Sequence, residues 1–314
     1  MIRWLFIRRS LAPVALFAIA GVGSMELSRI DGGFAMVWIA NGLLVPWLLA
    51  RPPRQWWLTL AAVAAVAGLA CATIGLGWRA APLLALASCV EAGVAALLIR
   101  KAYRHFRTYT SVSSVLAIYA AGGLVAPALS GIPAAVGMSL AGGSQFLAAF
   151  AQWSSAHALG FVAVFPCVGL LMQARARRRQ LFPPGRRKSA ALSLAAVLVA
   201  GLVCFGQSRV PLLFLPVLVT MYTMVLSDLF VSALGLALLL AMGIASAFLG
   251  VGPLQLLSDT PEQRFVFLQL YAACVSLAAM PIAVMLEHRR KGFAALAYNE
   301  ARFRLLADFS TDII

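Results

Sequence analysis

The chain is a train of long apolar runs separated by brief polar punctuation. Ten runs stand out, at residues 11–28, 33–50, 57–76, 80–99, 112–138, 146–172, 189–206, 211–226, 229–250 and 264–286. Most are close to the roughly 20 residues that a helix needs to cross about 30 Å of hydrocarbon. The predicted fold is therefore all-α, a polytopic transmembrane helix bundle. Run 211–226 is short and begins at Pro211, so it and 189–206 could instead close as a shallow hairpin, leaving eight crossings. Parity is even in both cases, which puts the two ends of the bundle on one side.

From Leu286 the pattern changes. The stretch "LEHRRKGFAALAYNEARFRLLADFS" spaces Leu286, Phe293, Leu296 and Phe303 by 7, 3 and 7 residues with charges between them, interrupted by Gly292 and Glu300. Such a stripe predicts a helix that leaves the membrane and pairs with a second copy. The expected division is an integral membrane domain over 1–286, a cytoplasmic signalling helix over 287–307 and a further module beginning at 308–314.

Composition supports the membrane reading. Hydrophobic residues make up 62% of the chain and charged residues 11%, against about 45–50% and about 25% in soluble domains. The net charge of +15 raises the question of a nucleic-acid partner. With the amino terminus inside, 21 of the 25 basic residues fall on the inner side, and only Arg29, Arg79, Arg209 and Arg264 fall outside. Membrane topology accounts for that asymmetry, with both termini cytoplasmic, the bilayer as the main partner and no nucleic acid. The start, "MIRWLFIRRSLAPVALFAIAGVGS", imitates a signal peptide. It serves equally as a first span, and a train of further spans follows it.

Loops are short, leaving no domain outside the bilayer to bind a ligand, so any small-molecule or protein stimulus must be read within the membrane, at its surface or through a partner. The five cysteines, Cys71, Cys89, Cys167, Cys204 and Cys274, lie inside spans without a CxxC pair or a His/Cys grouping, so no disulfide framework, metal or cofactor is expected. There is no GxSxG, no HExxH, no phosphate loop and no paired carboxylate, hence no candidate catalytic residue in this segment.

Candidate chemistry rests on the polar residues inside the spans, since a charge at the bilayer centre costs about 2.5–3.5 kcal/mol on insertion scales. Asn41, Glu91, His157 and Asp228 stand out. Asp228 falls in the turn "LSD" and reads as a hydrated helix end. Asn41 lies one turn from Trp38. Glu91 shares a helical face with Ala87, Ser88 and Ala95, small residues that admit a close neighbour. His157, one turn from Trp153 and Gly160, is the only basic side chain at comparable depth. Glu91 and His157 are therefore expected to face each other or a shared polar cavity, forming a sensing site with Trp38, Asn41 and Trp153.

Two resemblances sharpen this reading. "EARFRLLADFSTDII" is similar to the opening of a PAS domain. The body resembles the MASE family of bacterial integral membrane sensor domains, in its first-described class, over roughly residues 10–295, on three stretches. "VWIANGLLVPWLLARPPRQWW" is similar to the family's Trp-Pro-x-x-Gly span with its basic turn and aromatic re-entry, here Trp38, Gly42, Arg51, Arg54 and Trp56. "SCVEAGVAALLIRKAYR" resembles its Asn-x-x-Glu-Ala segment and puts Glu91 at the acidic position. "FAQWSSAHALGFVAVFPCVGLL" resembles its Trp-x-x-Gly-Asp-Ala-x-Gly span, aligning Trp153, Ala158, Gly160 and Pro166. Ile39, Ser88 and His157 stand where the family has Pro, Asn and Asp. The resemblance implies an inner-membrane sensor ahead of PAS and then diguanylate cyclase, cyclic-di-GMP phosphodiesterase or histidine kinase modules. A small-molecule transporter is the alternative that ten spans with polar residues at depth would also suit. The exit helix, carrying Phe293, Leu296 and Phe303 as its seam, favours the sensor.

Overall fold

The computed structural model describes residues 2–29, 34–74, 76–103, 109–142, 145–178 and 180–311, with side chains from Leu11 to Leu306 among them. The helices are α1 (Ile2–Ser28), α2 (Ala40–Leu49), α3 (Trp56–Thr73), α4 (Ala81–Ala102), α5 (Val112–Tyr119), α6 (Ala126–Leu140), α7 (Phe146–Ala176), α8 (Arg187–Phe205), α9 (Phe214–Leu226), α10 (Leu229–Leu249) and α11 (Pro261–Thr311). A π-helical stretch, Ala120–Val125, joins α5 to α6 into one rod. Among the described residues, eight helical segments are long and apolar enough to cross a membrane, and α2 and α9 are shorter. The bundle's outer surface is apolar, with Leu69, Leu124, Leu147, Leu192 and Leu249 all exposed. In water such a surface would aggregate; in a bilayer it is the lipid face.

Eight is reached differently from the hairpin alternative. Run 189–206 is a full helix, and the shortened elements are α2 and α9. Both nevertheless return the chain across the bundle. Arg29 donates to Ile74 O, so the ends of α1 and α3 lie on one side. Arg100 Nη1 donates to Arg51 O at 2.8 Å, so the α2–α3 turn and the end of α4 lie on the other. Hence α2, with the stretch before it, traverses between them. Likewise Ser189 Oγ donates to Leu226 O at 3.0 Å, while Gly252 N donates to Ser208 Oγ at 2.8 Å at the opposite end. This leaves α9 to run back between α8 and α10. At about 1.5 Å per residue its helix covers about 20 Å, and the non-helical residues ahead of it make up the rest.

Residues 34–39, just ahead of α2, are not helical. Backbone of this kind survives at membrane depth only when protein supplies its hydrogen bonds. Here α1 supplies Ser28, whose Oγ accepts from Val37 N at 3.2 Å and whose carbonyl accepts from Met36 N at 2.8 Å. Helix α7 supplies Ala156 O to Trp38 N at 3.2 Å and Gln152 Nε2 to Phe34 O at 3.3 Å. Helix α11 supplies Gln269 Nε2 to Met36 O at 3.2 Å.

Of the PAS-like ending, the structure describes residues through Thr311. Helix α11 continues through Thr311, so residues 308–311 are helical, and 312–314 lie outside the described residues.

Candidate functional site

Four elements converge on one buried cluster. Glu91, in the middle of α4, is 1% exposed, and His157, in the middle of α7, is 3% exposed. Their side chains are in contact through His157 Nδ1 and Glu91 Oε2. Small residues make the approach possible, since Ala87, Ala92 and Ala95 are buried around Glu91 on α4. The α6 side chain Ser130 donates to the same carboxylate oxygen at 3.4 Å and accepts from Trp153 Nε1 at 2.9 Å. A chain of polar contacts thus runs from indole to hydroxyl to carboxylate to imidazole.

His157 is also clamped between two aromatic rings. The Trp153 ring lies 3.8 Å from it, centroid to centroid, at 25°, and the Trp38 ring lies 5.3 Å away at 10°. Phe34 meets Trp153 edge-on at 5.2 Å, and Phe17 meets Trp38 in the same way at 6.1 Å. Such packing fixes the imidazole plane, so Nδ1 is aimed at the carboxylate.

Glycines set the distance between elements. Gly160, one turn beyond His157, takes the Trp38 carbonyl directly against its α-carbon, where any side chain would overlap it. A β-carbon at Gly42 would sit 3.0 Å from Gly160 O. Gly122, in the π-helical stretch, receives the ring of buried Phe161 in the same manner. Trp56, the aromatic re-entry residue, donates from Nε1 to Leu48 O at 2.7 Å and closes the α2–α3 turn.

Among the described residues, Trp38 Nε1, both amide atoms of Asn41 and Glu91 Oε1 are buried without a hydrogen-bond partner. A buried orphan of this kind costs about 1–3 kcal/mol. Those of Trp38 and Glu91 belong to the cluster itself, and Asn41 lies at the start of α2 three residues on from Trp38, so the cluster keeps unused hydrogen-bonding capacity. Of the other candidates, Asp228 caps the start of α10 by position only, and its carboxylate pairs with Arg186 at the bundle's end. Phe293, Leu296 and Phe303 lie far along α11, exposed, and take no part in the cluster.

Several residues that build the site carry little signal in the sequence. Ser130 is one hydroxyl in a span rich in Ala and Gly. Gln152 and Gln269 are polar but uncharged, and only the non-helical shape of 34–39 gives them a use. The signal that was available was Trp38, Glu91, Trp153 and His157 themselves, since each is large or costly at depth.

Comparison with known families matches the chain to a family model described as MASE1 over residues 8–290. No curated protein and no solved structure matches the chain.

Proposed function

The chain belongs to the MASE1 family of membrane-associated sensor domains, and we propose that the Glu91–His157 cluster is where it registers its stimulus and that α11 carries the result out of the membrane. One observation supports this most. Helix α11 holds the non-helical stretch through Gln269 and Met36 O, two residues from the Trp38 that covers His157, and then continues without interruption to Thr311. A change in how Trp38 sits on His157 alters the Gln269 contact and shifts a rigid helix whose far end projects from the bundle.

The direction of output follows from charge. The side that gathers Arg51, Arg100, Arg177, Arg186 and Arg290 is read as cytoplasmic by the positive-inside rule, which supports a bacterial inner-membrane location with both termini inside. Beyond Leu286 the helix enters the cytoplasm as a signalling helix, paired with its copy in a homodimer along Phe293, Leu296 and Phe303. It leads to a PAS-like module and to cyclic-di-GMP or histidine kinase output. The transporter alternative asks for a helix free to rock around a substrate. The close Gly160–Trp38 and Gly42–Gly160 contacts join α2 to α7 and count against it.

The test uses the protein as the cell makes it. Glu91→Gln and His157→Gln should each change the output of the attached module at unchanged membrane abundance, and the double variant should change it by less than the sum. Additive loss of abundance with unaltered output per molecule would reduce the cluster to a packing element.

A further inference from the structure

Helices α8 and α9 are tied at the arginine-rich end of the bundle, where Ser189 Oγ donates to Leu226 O at 3.0 Å. Beside that tie these two helices form a groove of about 590 Å³. Leu192, Leu218, Tyr222 and Leu226 line it and are exposed, so it opens on the lipid face of the bundle. Three of its hydroxyls are engaged within the protein: Ser189 on Leu226 O, Thr223 on Thr220 O at 2.8 Å, and Ser193 accepting from Ser227 Oγ at 2.6 Å. Among the lining residues this leaves the Tyr222 hydroxyl. Such a floor has little to offer a polar solute and suits a hydrocarbon chain.

Arg186, Arg187 and Lys188 precede Ser189 at the lip, and their charges are not equally compensated. Arg186 is neutralised by Asp228. Arg187 Nε donates to Phe182 O at 3.3 Å, a neutral partner that leaves the charge uncancelled. Lys188 is exposed, one turn before Leu192 on α8. Among the described residues no acidic side chain forms an ion pair with Arg187 or Lys188. The helix dipole does not call for these cations, since α8 begins at Arg187 and positive charge is disfavoured at a helix start. The positive-inside rule accounts for basic residues at this end. It does not account for an apolar groove directly below two of them.

We propose that the groove holds an acyl chain of an anionic phospholipid whose phosphate sits at Arg187 and Lys188. The order of chemistry along the helices is that of the lipid. Cations come first, at the lip. Tyr222, four residues in from Leu226, follows about 6 Å deeper at about 1.5 Å per residue. An amphipathic phenol is at home at that interfacial level, where its hydroxyl meets the ester carbonyls. Apolar lining comes last, Leu218 and Val219 on α9 with Ala196 on α8. Lipid tails are as apolar as the groove itself, so the groove supplies fit and the two cations supply the choice of headgroup. The site also borders the attachment of α11, because Arg290 donates to Met224 O and Val225 O, the residues just before Leu226. This inference does not depend on the role of Glu91 and His157.

The test follows lipid binding by native mass spectrometry on the chain purified in neutral detergent and titrated with phosphatidylglycerol or with phosphatidylcholine carrying the same acyl chains. Phosphatidylglycerol should bind saturably and roughly tenfold or more tighter than phosphatidylcholine, since each basic residue at a membrane surface favours an anionic lipid by roughly fivefold. Arg187→Gln with Lys188→Gln should remove that preference. Arg302→Gln with Arg304→Gln, an equal loss of charge on the exposed length of α11, should keep it. Ala196→Trp fills the groove from an exposed position and should abolish saturable binding, whereas Ala195→Trp, exposed on the same helix outside the lining, should not. Should Ala196→Trp fail to fold, Ala196→Leu carries the comparison with a loss of roughly fivefold. Equal affinity for the two lipids, or equal binding by the Ala195 and Ala196 variants, overturns the site. So does a dimer that Ala196→Trp dissociates in the absence of bound phosphatidylglycerol, which would assign the groove to a second copy of the chain.

Discussion

The two halves of α11 are built under opposite conditions. Between Phe265 and Val284 the helix is core, with Leu268, Ala272, Ser276, Ala279, Met280 and Ala283 buried. From Lys291 to Leu306 every residue is exposed, Phe293 at 63% and Phe303 at 71% among them. The order of this second half rests on i,i+4 pairs, Lys291–Glu287 at 2.9 Å and Arg304–Glu300 at 2.6 Å. Exposed pairs of this kind are worth about 0.3–0.5 kcal/mol each. A helix fixed at one end and unpartnered at the other transmits displacement instead of absorbing it. Damage to the first half should therefore register as lost stability, and damage to the second as altered association or signalling at constant stability.

The sharpest way to test the buried side is the Glu91–His157 contact. Glu91→Ala or His157→Ala leaves the other group buried and uncompensated, and each should lower unfolding free energy by about 3–5 kcal/mol. The double variant should cost less than the sum by about 0.5–3 kcal/mol, since the two are in direct contact. Denaturant titration in detergent measures all three. Strict additivity would show that the contact contributes nothing of its own.

Gly160→Ala comes next, at about 3 kcal/mol, the upper part of the usual overpacking range. Its new methyl meets the Trp38 carbonyl, which is backbone and tied to α7. Thermal unfolding and the yield of monodisperse protein report the loss. A wild-type midpoint would mean that the non-helical stretch can retreat from α7, which would break the comparison on its rigid side.

Legibility in the sequence follows the same division. The all-α bundle was readable because ten apolar runs of membrane length leave few other folds, and the cost of charge at depth singles out Glu91 and His157 before any geometry is known. Run 33–50 reads as a span, yet only Ala40–Leu49 is helical. Apolar residues look alike in a helix and in a non-helical stretch whose backbone is satisfied by Ser28, Gln152 and Gln269. Those partners lie from 9 to 233 residues away from the atoms they bind, and no local pattern records such distances. Arg290 was equally hidden, as one of three consecutive basic residues. In the structure it alone reaches back to the end of α9, donating to Met224 O at 2.8 Å, to Val225 O at 2.6 Å and to Ser227 O.

That clamp marks the boundary between the halves and sets the third prediction. Arg290→Gln removes charge-assisted bonds to three carbonyls at a helix C-terminus, a loss of about 1.5–3 kcal/mol if they are fully made and nearer the lower figure at a partly exposed site. Arg289→Gln, whose neighbour is the Phe293 ring at 6.0 Å, should cost no more than about 0.5 kcal/mol. The contrast matters more than either value. Similar small losses for both would mean that α11 is positioned by burial alone and that the polar latch is dispensable.

The smallest expected effect on stability is the most informative about the exposed half. Changing Phe293, Leu296 and Phe303 together to Ser removes no contact within the bundle, since all three side chains face solvent. Surface substitutions of this kind stay within about 0.5 kcal/mol, so the unfolding midpoint should hold. What should change is self-association. The three residues lie on one face of the helix, and apolar side chains left in water gain about 25 cal/mol for each Å² they cover in a paired helix. Cross-linking through a cysteine introduced at Ala297 in a background with Cys274, the exposed native thiol, replaced by Ser should therefore trap a dimer in the parent and not in the triple variant. Equal trapping in both would place the dimer contact within the membrane domain. A fall in the midpoint would show instead that this half of α11 folds back on the bundle, and the division between a buried half that sets stability and an exposed half that sets association would have to be abandoned.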